Sequence, residues 1–251
     1  MFIREKFWWS FIIFTLLISS SLVWAGWEKD LPKKVKALQS KNGEDSGNRE
    51  LSEEQIIAGL KEALHVGTDN AVNSSGQKDG YFGNPVIKIS MPDQLRKAEK
   101  VLRKTGNDKI VDDYILSMNR AAEQAAPAAR KIFWDAIKGM SFGDARKILQ
   151  GNDTAATEYF KMKTSDELRR AFQPVISEAT NNVGVTRNYK ALADKAKSVP
   201  LIKIEPVNID EYVVDKALDG LFYLVGEEEK KIRKDPLARV TDILKQVFGR
   251  R

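Results

Sequence analysis

The stretch Val111-Asp-Asp-Tyr-Ile-Leu-Ser-Met-Asn-Arg-Ala-Ala-Glu-Gln-Ala125 decides the class of the fold. Val111, Tyr114, Met118, Ala121 or Ala122, and Ala125 step by threes and fours, which gathers apolar side chains on one face of an α-helix. The same spacing continues outward on both sides. Leu95, Ala98 and Leu102 form a preceding stripe that stops at Gly106, and Pro127 suits the first turn of a following helix that buries Ile132, Phe133, Ala136, Ile137 and Met140.

Further out, Ser52-Glu-Glu-Gln55 is a capping box: the serine hydroxyl accepts from the backbone three residues on, and Gln55 reaches back. Ile56, Ile57, Leu60 and Leu64 extend that helix to about Asn73, where a glycine-rich stretch from Ser75 to Pro85 breaks it. Ser141-Phe-Gly-Asp144 and Thr164-Ser-Asp-Glu167 read as further helix starts, and Gly151 as a helix end. Pro174 is expected to break or kink the helix begun near Thr164. A helix over Thr186–Lys197 comes next. Asn208-Ile-Asp-Glu211 opens what reads as the longest helix, with Val213, Ala217, Leu218, Leu221, Leu224 and Val225 on its core face. Asp235-Pro236 opens the last, striped by Leu237, Val240, Leu244 and Val247. Val86–Ser90 and Leu201–Glu205 share an Ile-Lys-Ile pattern and are expected to pair as a small two-stranded ribbon, or to remain separate. The fold class is mostly α: one helical-bundle domain over 51–249 with roughly eight or nine helices.

Composition narrows the chemistry. The 251 residues include no cysteine and one histidine, are 42% hydrophobic and 30% charged, and carry a formal net charge of +6. Disulfides, thiolate metal sites and thiol nucleophiles are excluded, and His65 alone cannot build a multi-histidine metal site. At the N-terminus, Arg4 and Lys6 precede an apolar run of 17 residues, Phe7–Val23, and the small residues Val23 and Ala25. That is the pattern of a secretory signal peptide over 1–25 cleaved after Ala25, with an uncleaved inner-membrane anchor as the rival reading. Residues 26–50 have no sustained apolar period and read as a flexible tether. From Lys230 to Arg251 eight Lys or Arg stand against two Asp. This tail either complements a helix dipole or attracts the protein to an anionic membrane surface; the rest of the mature chain is nearly neutral, so nucleic acid is not an expected partner.

Five segments in order, Asp79-Gly-Tyr-Phe-Gly-Asn-Pro85, Met118-Asn-Arg-Ala-Ala-Glu123, Asp153-Thr-Ala-Ala-Thr-Glu-Tyr-Phe160, Val183-Gly-Val-Thr186 and Lys216-Ala-Leu-Asp-Gly-Leu-Phe222, resemble an exported bacterial family catalogued only as domain of unknown function 4197. The resemblance spans about Leu51 to Phe248. It implies a helical domain in a Gram-negative envelope and supplies no activity and no catalytic residues. Members often have a lipoprotein cysteine at the cleavage site; this chain has Ala25-Gly26 there, so lipid anchoring does not carry over.

The usual hydrolase, phosphate-loop and zinc-protease motifs are absent, and no cofactor or metal is implied. The acids Glu123, Asp153, Glu158, Asp219 and Glu227 are the candidates for glycan-cleaving chemistry. Glu123 lies one turn from Asn119 among small residues, so it is either paired in the interior, with Arg120 or Arg233, or lines a cleft. Asp153 and Thr154 precede a helix and either can cap it. Thr154 and Thr157 share a helical face, and Tyr159 lies on the same segment. In the loop Asp79–Pro85 two glycines permit unusual backbone angles, while Tyr81 and Phe82 offer aromatic surface beside Asn84. The loop is either a plug on the bundle or a lid over a pocket. These residues (Asp79, Tyr81, Phe82, Asn84, Asn119, Arg120, Glu123, Asp153, Thr154, Thr157 and Tyr159) are the candidate binding site. The leading expectation is a non-enzymatic periplasmic protein binding an envelope ligand or protein partner. A cell-wall glycan hydrolase or lyase, and a structural interaction module using the basic C-terminus, are the alternatives.

Overall fold

The computed structural model describes residues 52–182, 185–197 and 207–234. The expected signal segment, the tether, the second ribbon segment at 201–205 and the helix from Asp235 lie outside the described residues.

Eight α-helices run through the described residues: α1 (Glu53–Gly76), α2 (Arg96–Lys104), α3 (Asp108–Ala125), α4 (Ala129–Lys138), α5 (Phe142–Gln150), α6 (Ala155–Asn182), α7 (Val185–Lys197) and α8 (Ile209–Lys234). The architecture is mostly α, as the apolar spacing requires. Both serine capping boxes form, with Ser52 accepting from the Gln55 amide and Ser141 from the Asp144 amide. Gly106 ends the α2 region at φ 74, the left-handed geometry that costs glycine least. Asn208 starts α8 by accepting from the Glu211 amide at 3.2 Å.

The long helices α6 and α8 pack along each other; α1 lies against α8, and α3 against both α6 and α7. Where α4, α6 and α8 meet, the Phe133 ring stands edge-on to Phe160 at 5.3 Å and to Phe222 at 6.2 Å. Such contacts add about 0.5–1.5 kcal/mol to the burial of the rings themselves. Tyr114, Met118, Ala121, Ala122 and Ala125 are fully buried, so the stripe read from α3 is core.

One local expectation is corrected and two are narrowed. Thr164 does not start a helix: it lies inside α6, and its hydroxyl donates back to the Phe160 carbonyl at 2.7 Å. Of the two outcomes expected at Pro174, the break does not occur: the helix continues to Asn182. Neighbouring helices on both sides hold α6 together, so tertiary packing outweighs the one amide that proline removes. As a result α6, with 28 residues, exceeds α8, with 26. Val86–Ser90 does not form a strand: a turn runs through Ile87, and the residues after it have no regular secondary structure. The side chain of Asn119 takes the place of a neighbouring strand. Its Oδ1 accepts from the Ile89 amide at 2.8 Å and its Nδ2 donates to the Ile89 carbonyl at 2.9 Å.

Asn119 is fully buried, so nothing replaces it when it is removed. Asn119→Leu leaves both backbone groups of Ile89 unpaired, and urea denaturation is expected to show a loss of about 2–4 kcal/mol. A loss below about 1 kcal/mol means that water reaches Ile89 and that the amide is not the strand substitute described.

Candidate functional site

The candidate residues fall into two groups that share no hydrogen bond among the described residues. The first gathers around Glu123. Its Oε1 accepts from the Tyr81 and Phe82 amides, each at 3.2 Å, and its Oε2 pairs with Arg120 Nη1 at 2.5 Å. Arg120 in turn holds Asp79 through Nη2 at 2.6 Å. Arg120, and not Arg233, is therefore the partner of Glu123. The carboxylate is 4% exposed and both its oxygens are occupied.

That anchor sets the loop. Asp79 has φ 65, so the left-handed position falls on an aspartate and not on either glycine of the loop, which corrects the expectation from sequence. The glycines serve close approach instead: a Cβ at Gly80 would stand 2.3 Å from the Ser74 carbonyl oxygen. Tyr81 is fully buried and donates its hydroxyl to the Ala217 carbonyl at 2.7 Å. Its ring fits against α8 only because residue 220 is glycine, since a Cβ there would come within 2.7 Å of Tyr81 Cε1. Burial pushes the Tyr81 hydroxyl far above the usual phenol range. Phe82 remains half-buried, with Lys88 Nζ 4.0 Å from its ring centroid. Asn84 uses Oδ1 to accept from the Val86 amide at 3.0 Å, turning the chain after Pro85.

The second group gathers around a residue outside the candidate set. Glu229 on α8 is 5% exposed and closes the start of α6: its Oε1 accepts from the Ala156 amide at 2.9 Å, and its Oε2 from the Thr157 amide at 2.9 Å and the Thr157 hydroxyl at 2.8 Å. The cap expected from Asp153 or Thr154 is thus supplied from another helix. Arg233 Nη2 completes the cluster, bonding Glu229 Oε1 and the Ile148 carbonyl, each at 2.8 Å. The void beside this cluster measures about 10 Å³, room for a single water at most. Asp153 pairs with Lys234 at 2.5 Å, and that hydrogen bond lowers its pKa. Thr154 lies before the helix and donates to Asn152 and Glu158, so it does not present a hydroxyl beside that of Thr157. Tyr159 is buried and reaches the Ala136 carbonyl at 3.3 Å.

The other acids are also engaged: Glu158 accepts from Thr154, Asp219 pairs with Lys216 at 3.2 Å, and Glu227 with Lys230 at 2.8 Å. His65 stacks on Trp134 with ring centroids 4.4 Å apart. Among the described residues no group of three or more His, Cys, Asp or Glu could hold a metal ion, and no helix is long and apolar enough to cross a membrane. Glu229 left a trace in the sequence. It falls between Val225 and Ile232 at helical spacing, a carboxylate on an otherwise apolar stripe.

Fold and clusters together define an all-α domain in which buried carboxylates anchor a loop and a helix start. Residues 50–249 match the family described as protein of unknown function DUF4197, and the chain belongs to that family. No curated protein and no solved structure matches the chain.

Removing Glu229 takes the carboxylate away from the 6% exposed Arg233 side chain and leaves two helix-start amides without their acceptor. Glu229→Ala is expected to cost about 3–5 kcal/mol in urea denaturation, whereas Thr157→Val, which removes one hydroxyl, costs about 1–2 kcal/mol. Equal costs for the two variants rule out the carboxylate as the centre of the cluster.

Proposed function

We propose that the protein is an exported, non-enzymatic helical domain that binds a ligand or a protein partner in a Gram-negative envelope, with residues 1–25 as a signal peptide removed after Ala25. One observation weighs most: the carboxylate best placed by sequence for acid–base work, Glu123, has its lone pairs filled by two backbone amides and an arginine. A general acid must reach the atom it protonates, and a carboxylate so enclosed does not. The glycan hydrolase or lyase reading therefore loses its leading residue. The basic start, the apolar run and the small residues before Gly26 support export. The basic residues Arg239, Lys245, Arg250 and Arg251 support a secondary attraction to anionic headgroups.

Fractionation of Gram-negative cells expressing the full sequence is expected to place the chain in the periplasm with Gly26 as its first residue. Incubated with purified peptidoglycan, the recovered protein is expected to release no soluble fragments. An unprocessed chain in the cytoplasm rejects export. Fragment release that Glu123→Gln abolishes, with the fold intact by circular dichroism, rejects the non-enzymatic reading.

A further inference from the structure

The flank of α2 beside its buried residues carries Arg96, Glu99, Lys100 and Arg103 at helical spacing, while Ala98 and Leu102, with Leu95 just before the helix, fill the core. This polar face forms one wall of an open cleft of about 420 Å³. The facing wall is the segment after the loop, where Lys88 and Ser90 alternate with buried Ile89 and Met91. Apolar lining comes from Met91 and from Ile115 on α3. The volume falls in the range of small-molecule sites, about 300–1,000 Å³.

Lys88, Arg96, Lys100 and Arg103 line the cleft, and these cations are not alike. Arg103 is matched by carboxylates: Asp112 at 2.8 Å, Glu99 at 3.2 Å and Asp108 at 3.4 Å. Those bonds raise its pKa, that to Asp112 contributing most, and fix its guanidinium in place. Arg96 pairs with Asp93 at 2.7 Å. Lys88 and Lys100 have no carboxylate within ion-pair distance among the described residues, and Glu99, the one acid of the lining, is already held by Arg103. Two lysines thus line the same cleft with no carboxylate paired to either.

The walls are also positioned in advance. Asn119 holds both backbone groups of Ile89, Tyr212 donates to the Ser90 carbonyl at 3.0 Å, and the Phe82 ring lies 4.0 Å from Lys88 Nζ. The loop anchored by Glu123 is therefore the support of Lys88. A site whose side chains are already placed loses little entropy on binding.

We propose that this cleft binds a phosphate-type oxyanion, with Lys88 and Lys100 supplying the charge and Met91 and Ile115 accommodating an adjoining apolar part. An oxyanion with several charged oxygens satisfies two ammonium groups at once. The proposal rests on the reading that the protein binds a ligand and gives that ligand a chemical class. Free phosphate esters and lipid headgroups share this chemistry.

The test uses the full-sequence chain purified from expressing cells, titrated calorimetrically at low salt with inorganic phosphate and, separately, with vesicles of phosphatidylglycerol or phosphatidylcholine. The variant K88E/K100E reverses the two cleft charges. K97E/K104E makes the same change in net charge at exposed α2 positions outside the cleft. Phosphate binding is expected to weaken at least about tenfold in K88E/K100E and less than about twofold in K97E/K104E, with unchanged thermal melting in both. Phosphatidylglycerol binding lost in parallel assigns the site to a headgroup; vesicle binding equal in all three proteins assigns it to a soluble phosphate ester. No uptake of either anionic probe by the unaltered chain, or equal weakening in both variants, overturns the proposal. The titration is independent of cell fractionation, so anion binding by a chain found outside the envelope rejects the proposed location and leaves the cleft standing.

Discussion

A carboxylate taken out of water must have its oxygens filled by donors, and two such groups organise this domain. An unpaired buried charge costs several kcal/mol, so the position of Glu123 dictates where the backbone of Tyr81 and Phe82 must run. Those amides, in a loop without a helical or sheet partner, would otherwise be orphaned. One side chain settles both problems. Glu229 repeats the solution at the start of α6, where a helix always leaves its first amides without internal acceptors.

The anchored loop then directs the path of the chain beyond it. Once Tyr81 is seated against Gly220, Asn84 turns the chain and Asn119 receives Ile89. α3 supplies Asn119, Arg120 and Glu123 within little more than one helical turn. The polar turn read from sequence as a site is thereby the foundation on which the wall carrying Lys88 is laid. The polar density of Asp79–Asn84 and Asn119–Glu123 has a structural cause, and the open cleft lined by Lys88 and Lys100 lies next to it.

What was legible in the sequence was local. Ser52 and Ser141 announced their helices because a capping box lies within four residues, and the stripe from Val111 to Ala125 marked the core because periodicity is a property of one helix. Thr164 was misread as a helix start although its hydroxyl bonds back within its own helix, and the sequence leaves Pro174 and Val86–Ser90 with two outcomes each because distant partners decide between them. The same holds for the cap of α6, which comes from a residue more than 70 positions away. Nor does spacing alone separate a charged helical face that lines a cleft from one that meets only solvent. Arg96 to Arg103 required the position of Lys88 before they became a wall.

The seat of Tyr81 at Gly220 and the cap on α6 at Glu229 both belong to α8, the last of the described helices. The bond from Tyr81 to Ala217 spans 136 positions. A chain emerging from the ribosome exposes α1 to α7 before the helix that completes their centre exists. Until α8 arrives, the loop has no socket and α6 has no acceptor for its first amides. A product that stops short of Gly220 therefore lacks both closures at once, and quality-control proteases meet it as an open chain, not as a slightly shortened domain.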